Sequence, residues 1–252
     1  MIKKNKIFSI KLNDVCKEYV VHHEKPTFIK NLIKNSVQNK FTALKNISLL
    51  VDKGERIGII GLNGAGKTTL LKIISEIASP DLGTVKTNGR ISSLISLDAG
   101  FHSELTGEEN IYLNGMIVGM SKKEIKDKYK DIVSFADIGE FISMPLYTYS
   151  SGMKLRLGFA IVAYSKFDTL VLDESLAVGD KVFQYKVFNT ILNFSKKGKT
   201  LVLASQNLEV ISKFCNRVIW MHKGKIKMDD KSKIVVKTYK DWTNDFYEKN
   251  KK

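Results

Sequence analysis

The sequence predicts an α/β fold: one domain over residues 1–252, with a mostly parallel core sheet and an inserted helical subdomain. Apolar strand patterns alternate with helical patterns along most of the chain, which favours a parallel sheet. An apolar strand, a glycine-rich loop and a helix follow one another directly between residues 56 and 77. Residues 107–165 have helical patterns and no strand pattern, so we place the helical subdomain at about residues 100–165.

Composition limits the classes of protein to which the chain can belong. It has 252 residues, 43% of them hydrophobic, which suffices for one large core. No apolar run is long enough to span a bilayer, and the apolar stretch at the start is too short for a signal peptide. Two cysteines, Cys16 and Cys215, are expected to be reduced thiols of a cytoplasmic protein. The net charge of +15 fits a solvated lysine surface; an anionic membrane face and nucleic acid are the alternatives, and no nucleic-acid motif supports the last.

The first part of the chain is predicted to be rich in strands. A polar, lysine-rich stretch, His22–Thr42, is predicted to be an inserted loop. A helix is predicted over Lys67–Ile77, and Ser79-Pro80-Asp81 ends it. The strand patterns read IFSIKL, VCKEYVV, NISLLV, RIGIIG and RISSLISL.

Helices dominate the middle of the chain, and strands return after it. Ser121 and Glu124 form a capping box at the start of one helix. Lys223-Gly224 is predicted to turn a hairpin in VIWMHKGKIKM. The tail Lys231–Lys252 is predicted to be lysine-rich and helical over about residues 231–247. The remaining helix patterns read EENIYLNGMIVGM, SKKEIKDKYKDIVSF, GMKLRLGFAIVAYS, Lys181–Lys197 and NLEVISKFC, and the remaining strands read TLVLDE and LVLAS.

The stretch from Gly61 to Thr68 fits the P-loop pattern GxxxxGK[ST]. Its glycines let backbone N–H groups face inward and, with the start of the next helix, form a cradle for an anion. Lys67 is predicted to reach the β- and γ-phosphates of a nucleotide, and the Thr68 hydroxyl to ligate Mg²⁺. The residues predicted to bind the nucleotide are Gly61, Leu62, Asn63, Gly64, Ala65, Gly66, Lys67, Thr68 and Thr69.

Two neighbouring carboxylates indicate hydrolysis rather than transfer to a bound acceptor. Asp173 and Glu174 follow the apolar strand TLVL, at the strand end where α/β sheets bind ligands. Adjacent strand residues point to opposite faces, so we expect different roles. Asp173 is predicted to hold Mg²⁺, and Glu174 to polarise the attacking water.

A third candidate element is the stretch Tyr149-Ser150-Ser151-Gly152-Met153, which opens an apolar helix. A serine followed by small residues at a helix start suits an anion. An ordinary helix N-cap would look the same.

In this order, the three elements resemble the ATPase subunit of an ABC transporter, over nearly the whole chain. YSSGM resembles the signature motif of that family in its polysaccharide-exporter variant, and Leu176–Asp180 resembles the D-loop. The stretch Gly100–Ile125 resembles subunits that export teichoic acids, O-antigens and capsular polysaccharides. The resemblance implies a P-loop ABC ATPase with an antiparallel β subdomain beside the core sheet.

The resemblance also implies a mechanism and partners. Two such subunits form a head-to-tail dimer around two ATP molecules, so Ser150 and Gly152 would contact ATP held by the partner subunit. Tyr19 would stack on adenine, with an ordinary strand tyrosine as the alternative, and Asp180 would belong to the D-loop. A membrane-spanning permease would export a lipid-linked glycan, with the ATPase at the cytoplasmic face of the membrane. Phe101 could project into that permease or could be a core residue.

Two departures from the family pattern bear on catalysis. The glutamine that usually precedes the helical subdomain is missing near Leu97. Asp98 or Ser96 is a candidate substitute, and metal ligation by Thr68, Asp173 and water is the alternative. Gln206 stands where the family has a histidine that contacts the γ-phosphate, and its amide can donate a hydrogen bond but cannot become a cation. A soluble ABC protein acting on nucleic acid or ribosomes, and a regulatory subunit that scarcely hydrolyses ATP, are the alternatives. The single P-loop and the lack of a heptad insertion disfavour the first; Lys67 and the two carboxylates disfavour the second.

Overall fold

A computed structural model describes residues 7–21, 39–95, 100–173 and 180–249. The strands and helices of these ranges form two sheets flanked by helices. The strands are β1 Phe8–Val21, β2 Asn39–Asp52, β3 Arg56–Ile60, β4 Leu82–Thr87, β5 Ile91–Leu94, β6 Thr169–Leu172, β7 Thr200–Ala204, β8 Arg217–His222 and β9 Lys225–Lys231. The helices are α1 Lys67–Ile74, α2 Gly107–Ile117, α3 Lys122–Ala136, α4 Ser151–Tyr164, α5 Lys181–Lys196, α6 Leu208–Phe214 and α7 Ser232–Lys249.

The larger sheet has six strands in the order β5-β6-β7-β3-β8-β9. Its strands pair in parallel except for β9, which is antiparallel to β8. The central strands β6 and β7 are buried along their whole length, as expected for parallel strands covered by helices on both faces. The mostly parallel core sheet is therefore confirmed.

The smaller sheet is antiparallel, in the order β2-β1-β4, and confirms the antiparallel subdomain. Its first strand corrects the sequence analysis, because the two predicted runs form one strand interrupted by bulges. At one of these irregularities Asp14 has a left-handed φ of 48°, and its backbone N–H and its carboxylate both bond to the Ser48 hydroxyl at 2.9 Å. The predicted loop is also too long, because β2 already begins at Asn39; residues 22–38 lie outside the described ranges.

Helix α1 ends at Ile74, three residues before the predicted end. Glu76 has a left-handed φ of 60°, and the N–H of Ile77 turns back to the carbonyl of Lys72 at 2.9 Å. This closing turn satisfies carbonyls at the helix end and stops the helix before the apolar pattern stops.

The predicted helical insertion is confirmed, because α2, α3 and α4 follow one another between β5 and β6. The capping box of Ser121 and Glu124 is present, and Thr106 and Glu109 form a second one that was not predicted. Asn110, fully buried, donates to the carbonyls of His102 (3.0 Å), Leu105 (3.0 Å) and Thr106 (2.9 Å) and accepts from the His102 N–H (2.9 Å). This one side chain fixes the loop that enters the insertion.

The predicted hairpin joins β8 to β9, and its turn also touches the glycine-rich loop. Lys223 and Gly224 have φ values of 49° and 78°. The Gly224 N–H donates to the Ala65 carbonyl at 3.1 Å, and the Gly224 carbonyl accepts from the Lys45 N–H at 2.8 Å. We call this three-way backbone contact of Lys45, Ala65 and Gly224 the clasp. It ties β2, the glycine-rich loop and the hairpin together.

None of the described helices combines the length and the apolar character needed to span a bilayer.

Gly224→Ala should lower the free energy of unfolding more than Gly198→Ala. Both glycines have positive φ values, 78° and 72°, so each alanine costs about 1–2 kcal/mol of left-handed strain. Only at Gly224 would the new Cβ also lie 2.7 Å from the Ala43 carbonyl oxygen, whereas nothing lies within 4 Å at Gly198. We expect an additional ~1–3 kcal/mol at Gly224, measured by urea denaturation. If both variants lose the same free energy of unfolding, β2 can shift away from the turn without destabilising the fold.

Candidate functional site

The glycine-rich loop runs from the end of β3 to the start of α1, as predicted. Gly61, Gly64 and Gly66 have positive φ values of 151°, 75° and 100°. A Cβ at Gly66 would lie 2.6 Å from the Ala43 carbonyl oxygen, and one at Gly61 would collide with the Met221 carbonyl. Gly61 and Gly66 are needed because the backbone of Met221 and of Ala43 approaches the loop too closely for a side chain. Gly64 has no atom within 4 Å of a Cβ position, so its side of the loop is open.

The Lys67 side chain turns back over this loop. Its Nζ donates to the carbonyls of Gly61 at 2.8 Å and Leu62 at 3.2 Å, and the residue is buried. The ammonium group is thus positioned over a loop that also opens a helix. Positive charge and backbone N–H groups at a helix start together suit a phosphate chain.

Thr68 and Asp173 meet beside the loop although they are far apart in sequence. The Thr68 hydroxyl donates to Asp173 Oδ2 at 3.1 Å. A hydroxyl and a carboxylate are the oxygen donors that Mg²⁺ prefers, so the pair fits the predicted metal site. The described residues contain no cluster of three or more His, Cys, Asp or Glu that could hold a metal ion.

A cleft of about 320 Å³ opens over the loop. Its walls include both sequence-predicted residues and ones that sequence reasoning missed, and they comprise Phe41, Ala43, residues 63–69, Ile95 and Asp173. Tyr19 is not among the described residues that line the cleft; the residue is 39% exposed, with the Lys17 ammonium 5.6 Å from the ring centre. Residues 149–153 are not among the described residues that line this cleft.

Gln206 reaches the same loop from the neighbouring strand β7. Its Nε2 donates to Asn63 Oδ1 at 3.0 Å. Ser205, just before it, is fixed to β3 through its N–H and the Ile59 carbonyl. The structure thus places Gln206 against the predicted phosphate cradle.

Ser150 caps α4, and its hydroxyl accepts from the Met153 N–H at 3.2 Å. Ser151 is exposed and Gly152 partly so, and a Cβ at Gly152 would meet nothing closer than Ser150 Oγ at 3.8 Å. The fold of this chain therefore leaves room for a side chain at Gly152.

Tyr149, just before this helix start, points inward and donates to the Phe141 carbonyl at 2.6 Å, and burial raises its pKa to about 12. This hydrogen bond ties the start of α4 to the segment around Phe141.

Asp180 caps α5 by accepting from the Phe183 N–H at 2.9 Å, and it also pairs with Arg156 of α4. These contacts, the Phe183 bond first, lower the pKa of Asp180. The residue links the start of α5 to the helix that carries the signature stretch. Several other predicted positions lie outside the described ranges. They are Glu174, Ser96, Leu97, Asp98 and residues 176–179 of the D-loop.

A second concavity of about 550 Å³, the groove, lies between β5 and the helical insertion. Phe101 forms part of its wall, and the edge of its ring lies 3.4 Å from a Cβ position at Gly158 of α4. Phe101 is partly buried and packs against the core, so it has features of both predicted roles. Ile117, at the end of α2, also lines the groove and is 61% exposed.

Comparison with known proteins agrees with this geometry. The family model described as ABC transporter matches residues 44–177. The O-antigen export system ATP-binding protein RfbB of Klebsiella pneumoniae is 40% identical over 238 residues, which cover 92% of this chain and 97% of that protein. The teichoic acids export ATP-binding protein TagH of Lactiplantibacillus plantarum is 42% identical over 241 residues, covering 95% of this chain and 66% of that protein.

Among solved structures, a dimeric ATP-binding cassette in a post-hydrolysis state with ADP and Pi superposes with a TM-score of 0.72 at 22% identity, covering 88% of this chain and 98% of that one. Another, an ATP-binding subunit of an ABC transporter, has a TM-score of 0.73 at 20% identity, covering 92% and 93%. These likenesses show a shared fold.

Gln206→His should raise the rate of ATP hydrolysis. An imidazole can carry a charge that an amide lacks, and one missing positioned donor typically costs about 10²–10³ in rate. Gln206 still supplies an N–H donor, so we expect a gain smaller than that range, measured as phosphate release at saturating ATP. Gln206→Glu, which keeps the size but removes the donor, should lower the rate. If Gln206→His leaves the rate unchanged or lowers it, the glutamine is a tuned replacement.

Proposed function

The chain belongs to the ABC transporter family of ATP-binding subunits, and on this premise we propose that it hydrolyses ATP to drive export of a lipid-linked polysaccharide through a membrane-spanning permease. The hydrolytic part rests on one observation above all: Thr68 and Asp173 meet at 3.1 Å beside the loop that Lys67 covers. The export part is supported by the likeness to O-antigen and teichoic acid export proteins over more than nine-tenths of the chain. The polysaccharide is of teichoic acid, O-antigen or capsule type.

Each residue of the cleft has a role in this proposal. Loop N–H groups and Lys67 would bind the β- and γ-phosphates. Thr68 and Asp173 would hold Mg²⁺, which would supply positive charge to the phosphate oxygens. Glu174 orients and polarises the attacking water. Gln206, held by Asn63, positions a donor toward the γ-phosphate.

The site is completed by a second copy of the chain. The signature stretch is absent from the described walls of its own cleft, and Gly152 leaves open space beside the Ser150 hydroxyl. A helix start with free N–H groups attracts an anion, so Ser150, Ser151 and Gly152 would bind the γ-phosphate of ATP held by the partner subunit. Two chains would then enclose two nucleotides, head to tail.

The permease is proposed to dock in the groove, which places the protein at the cytoplasmic face of the membrane as a peripheral subunit. The groove lies between the sheet that holds the nucleotide and the insertion that carries the signature helix. A partner seated there would contact both parts that must move together during hydrolysis. The exposed side chain of Ile117 gives this partner an apolar surface to cover.

Glu174→Gln should trap an ATP-bound dimer. Without the carboxylate the water is not activated, so ATP stays bound between the two subunits. Size-exclusion chromatography with ATP and Mg²⁺ should show a dimer for this variant and a monomer for Glu174→Gln combined with Gly152→Asp, whose added carboxylate repels the γ-phosphate. A monomer for Glu174→Gln, at concentrations where ATP binding is measured, contradicts the shared site.

Ile117→Ser should abolish binding to the permease without changing the melting temperature. Ile117 lines the groove and is mostly exposed, so its loss removes a docking contact and little core packing. Met116→Ser is the matched control, because Met116 is 44% exposed but does not line the groove. Each variant is co-expressed with the permease encoded beside it in the genome and tested by pull-down and by thermal melt. Polysaccharide export in cells is the final readout.

Phe101→Ala separates docking from packing. Because its ring packs partly on α4, we expect a loss of stability below the ~3–5 kcal/mol of a fully buried phenylalanine, together with weaker docking. If both Ile117→Ser and Met116→Ser still bind the permease, the groove is not its docking site. If the wild-type chain does not bind the permease, a subunit that is not coupled to transport becomes the better explanation.

A further inference from the structure

We propose that one face of α3 binds an anionic lipid surface, so that the subunit contacts the membrane itself and not only a permease. Four exposed lysines form this face, which we call the lysine stripe: Lys122, Lys123, Lys126 and Lys130. This contact goes beyond the proposed function and depends on it only for the side of the molecule on which the membrane lies.

The charges of α3 are segregated by face. From the geometry of an α-helix, the lysine stripe covers an arc of about 100°. The carboxylates of Glu124, Asp127 and Asp131 lie on the arc beside it, and the buried side chains of Ile125 and Ile132 lie on the opposite side of the helix. Charges of mixed sign are typical of a helix face that meets only water. A face with one sign of charge is instead suited to a partner of the opposite sign.

The lysine stripe also keeps its charge free for such a partner. Other lysines pair with the carboxylates nearby: Lys128 with Asp131 at 3.2 Å, and Lys166 with Glu124 at 2.6 Å. Among the described residues, no carboxylate forms an ion pair with a lysine of the stripe. The stripe therefore has a local excess of positive charge.

Two exposed apolar side chains adjoin the lysine stripe at the corner between α2 and α3. Met116 and Ile117, the last residues of α2, are 44% and 61% exposed. After a turn at Gly119, with a φ of 85°, α3 begins at Lys122. Lysines beside exposed apolar groups suit the surface of an anionic bilayer, because the lysines meet the headgroups and the apolar groups meet the acyl boundary. A nucleic acid would use the lysines and leave the apolar pair uncovered.

The groove places this corner on the side of the membrane. Ile117 and Val118 line the groove in which the permease is proposed to dock. The Arg90 guanidinium, just before β5, donates to the Gly119 carbonyl at 3.3 Å and so holds the corner to the core sheet. A permease seated in the groove spans the bilayer, so the bilayer would lie on the side to which the groove opens. The lysine stripe would then meet anionic headgroups beside the permease.

The test measures binding of the full chain to lipid vesicles in the absence of any permease. Vesicles of phosphatidylglycerol and phosphatidylcholine should bind the wild-type chain in co-sedimentation, and vesicles of phosphatidylcholine alone should not, because they lack anionic headgroups. The triple variant Lys122→Gln, Lys126→Gln and Lys130→Gln should bind the anionic vesicles about tenfold more weakly, since each lysine near an anionic surface adds to the affinity.

The matched control removes the same charge from another helix. Lys233, Lys237 and Lys240 of α7 are exposed and share one helix face, and changing all three to Gln should leave vesicle binding nearly unchanged. Both triple variants should melt at the wild-type temperature, because every changed side chain is exposed. Equal losses of vesicle binding in the two variants would mean that only the net charge matters, and would overturn the assignment to α3.

Met116→Trp provides a second readout at the apolar corner. Its fluorescence emission should shift to shorter wavelength on anionic vesicles, whereas that of Leu82→Trp, at a 66% exposed position of β4, should not. The absence of a shift at Met116 would overturn the placement of this corner on the bilayer.

The remaining outcomes separate lipid from the other partners. A stripe variant that binds anionic vesicles normally but loses the permease in pull-down would overturn the lipid assignment, and so would a wild-type chain that binds mixed-sequence RNA and no vesicle. A wild-type chain that binds anionic vesicles through the stripe and does not bind the permease would instead overturn the proposed docking, so the two failures are distinguishable.

Discussion

The clasp is the constraint on which the rest of the site depends. Three segments that are distant in sequence meet through backbone groups alone, and Gly66 and Gly224 leave no room for a side chain where they meet β2. A backbone contact of this kind has almost no freedom to relax, because no flexible side chain lies between the segments. The antiparallel sheet is therefore held to the parallel sheet at the point where the phosphates would bind.

The candidate functional groups lie in two separate parts of the fold. Lys67, Thr68, Asp173 and Gln206 gather at the ends of β3, β6 and β7, as parallel strands allow. Ser150 stands at the start of α4, in the insertion, and Asp180 connects that helix to α5 through Arg156. The salt bridge thus holds the helix that begins after Ser150 to the start of α5.

Much of this could be predicted because the signals are local. A capping box such as Ser121 and Glu124, or a turn such as Lys223-Gly224, is determined by residues that are close together in the sequence. The pattern predicts the P-loop and Asp173, whereas the meeting of Thr68 with Asp173 depends on the strand order of the sheet, which the pattern does not contain. What was missed depends on contacts distant in sequence: the bulge at Asp14 is fixed by Ser48, and Phe41 becomes part of the cleft only because β2 packs on the loop.

The buried amide of Asn110 has a consequence for any protein that approaches the groove. Ordering the backbone of a loop costs about 1–2 kcal/mol per residue in conformational entropy. With the loop from His102 to Thr106 already bonded to Asn110, that cost is met when the chain folds and not when a partner binds. The partner would meet a preorganised rim, and its affinity would depend on a side chain that it never touches.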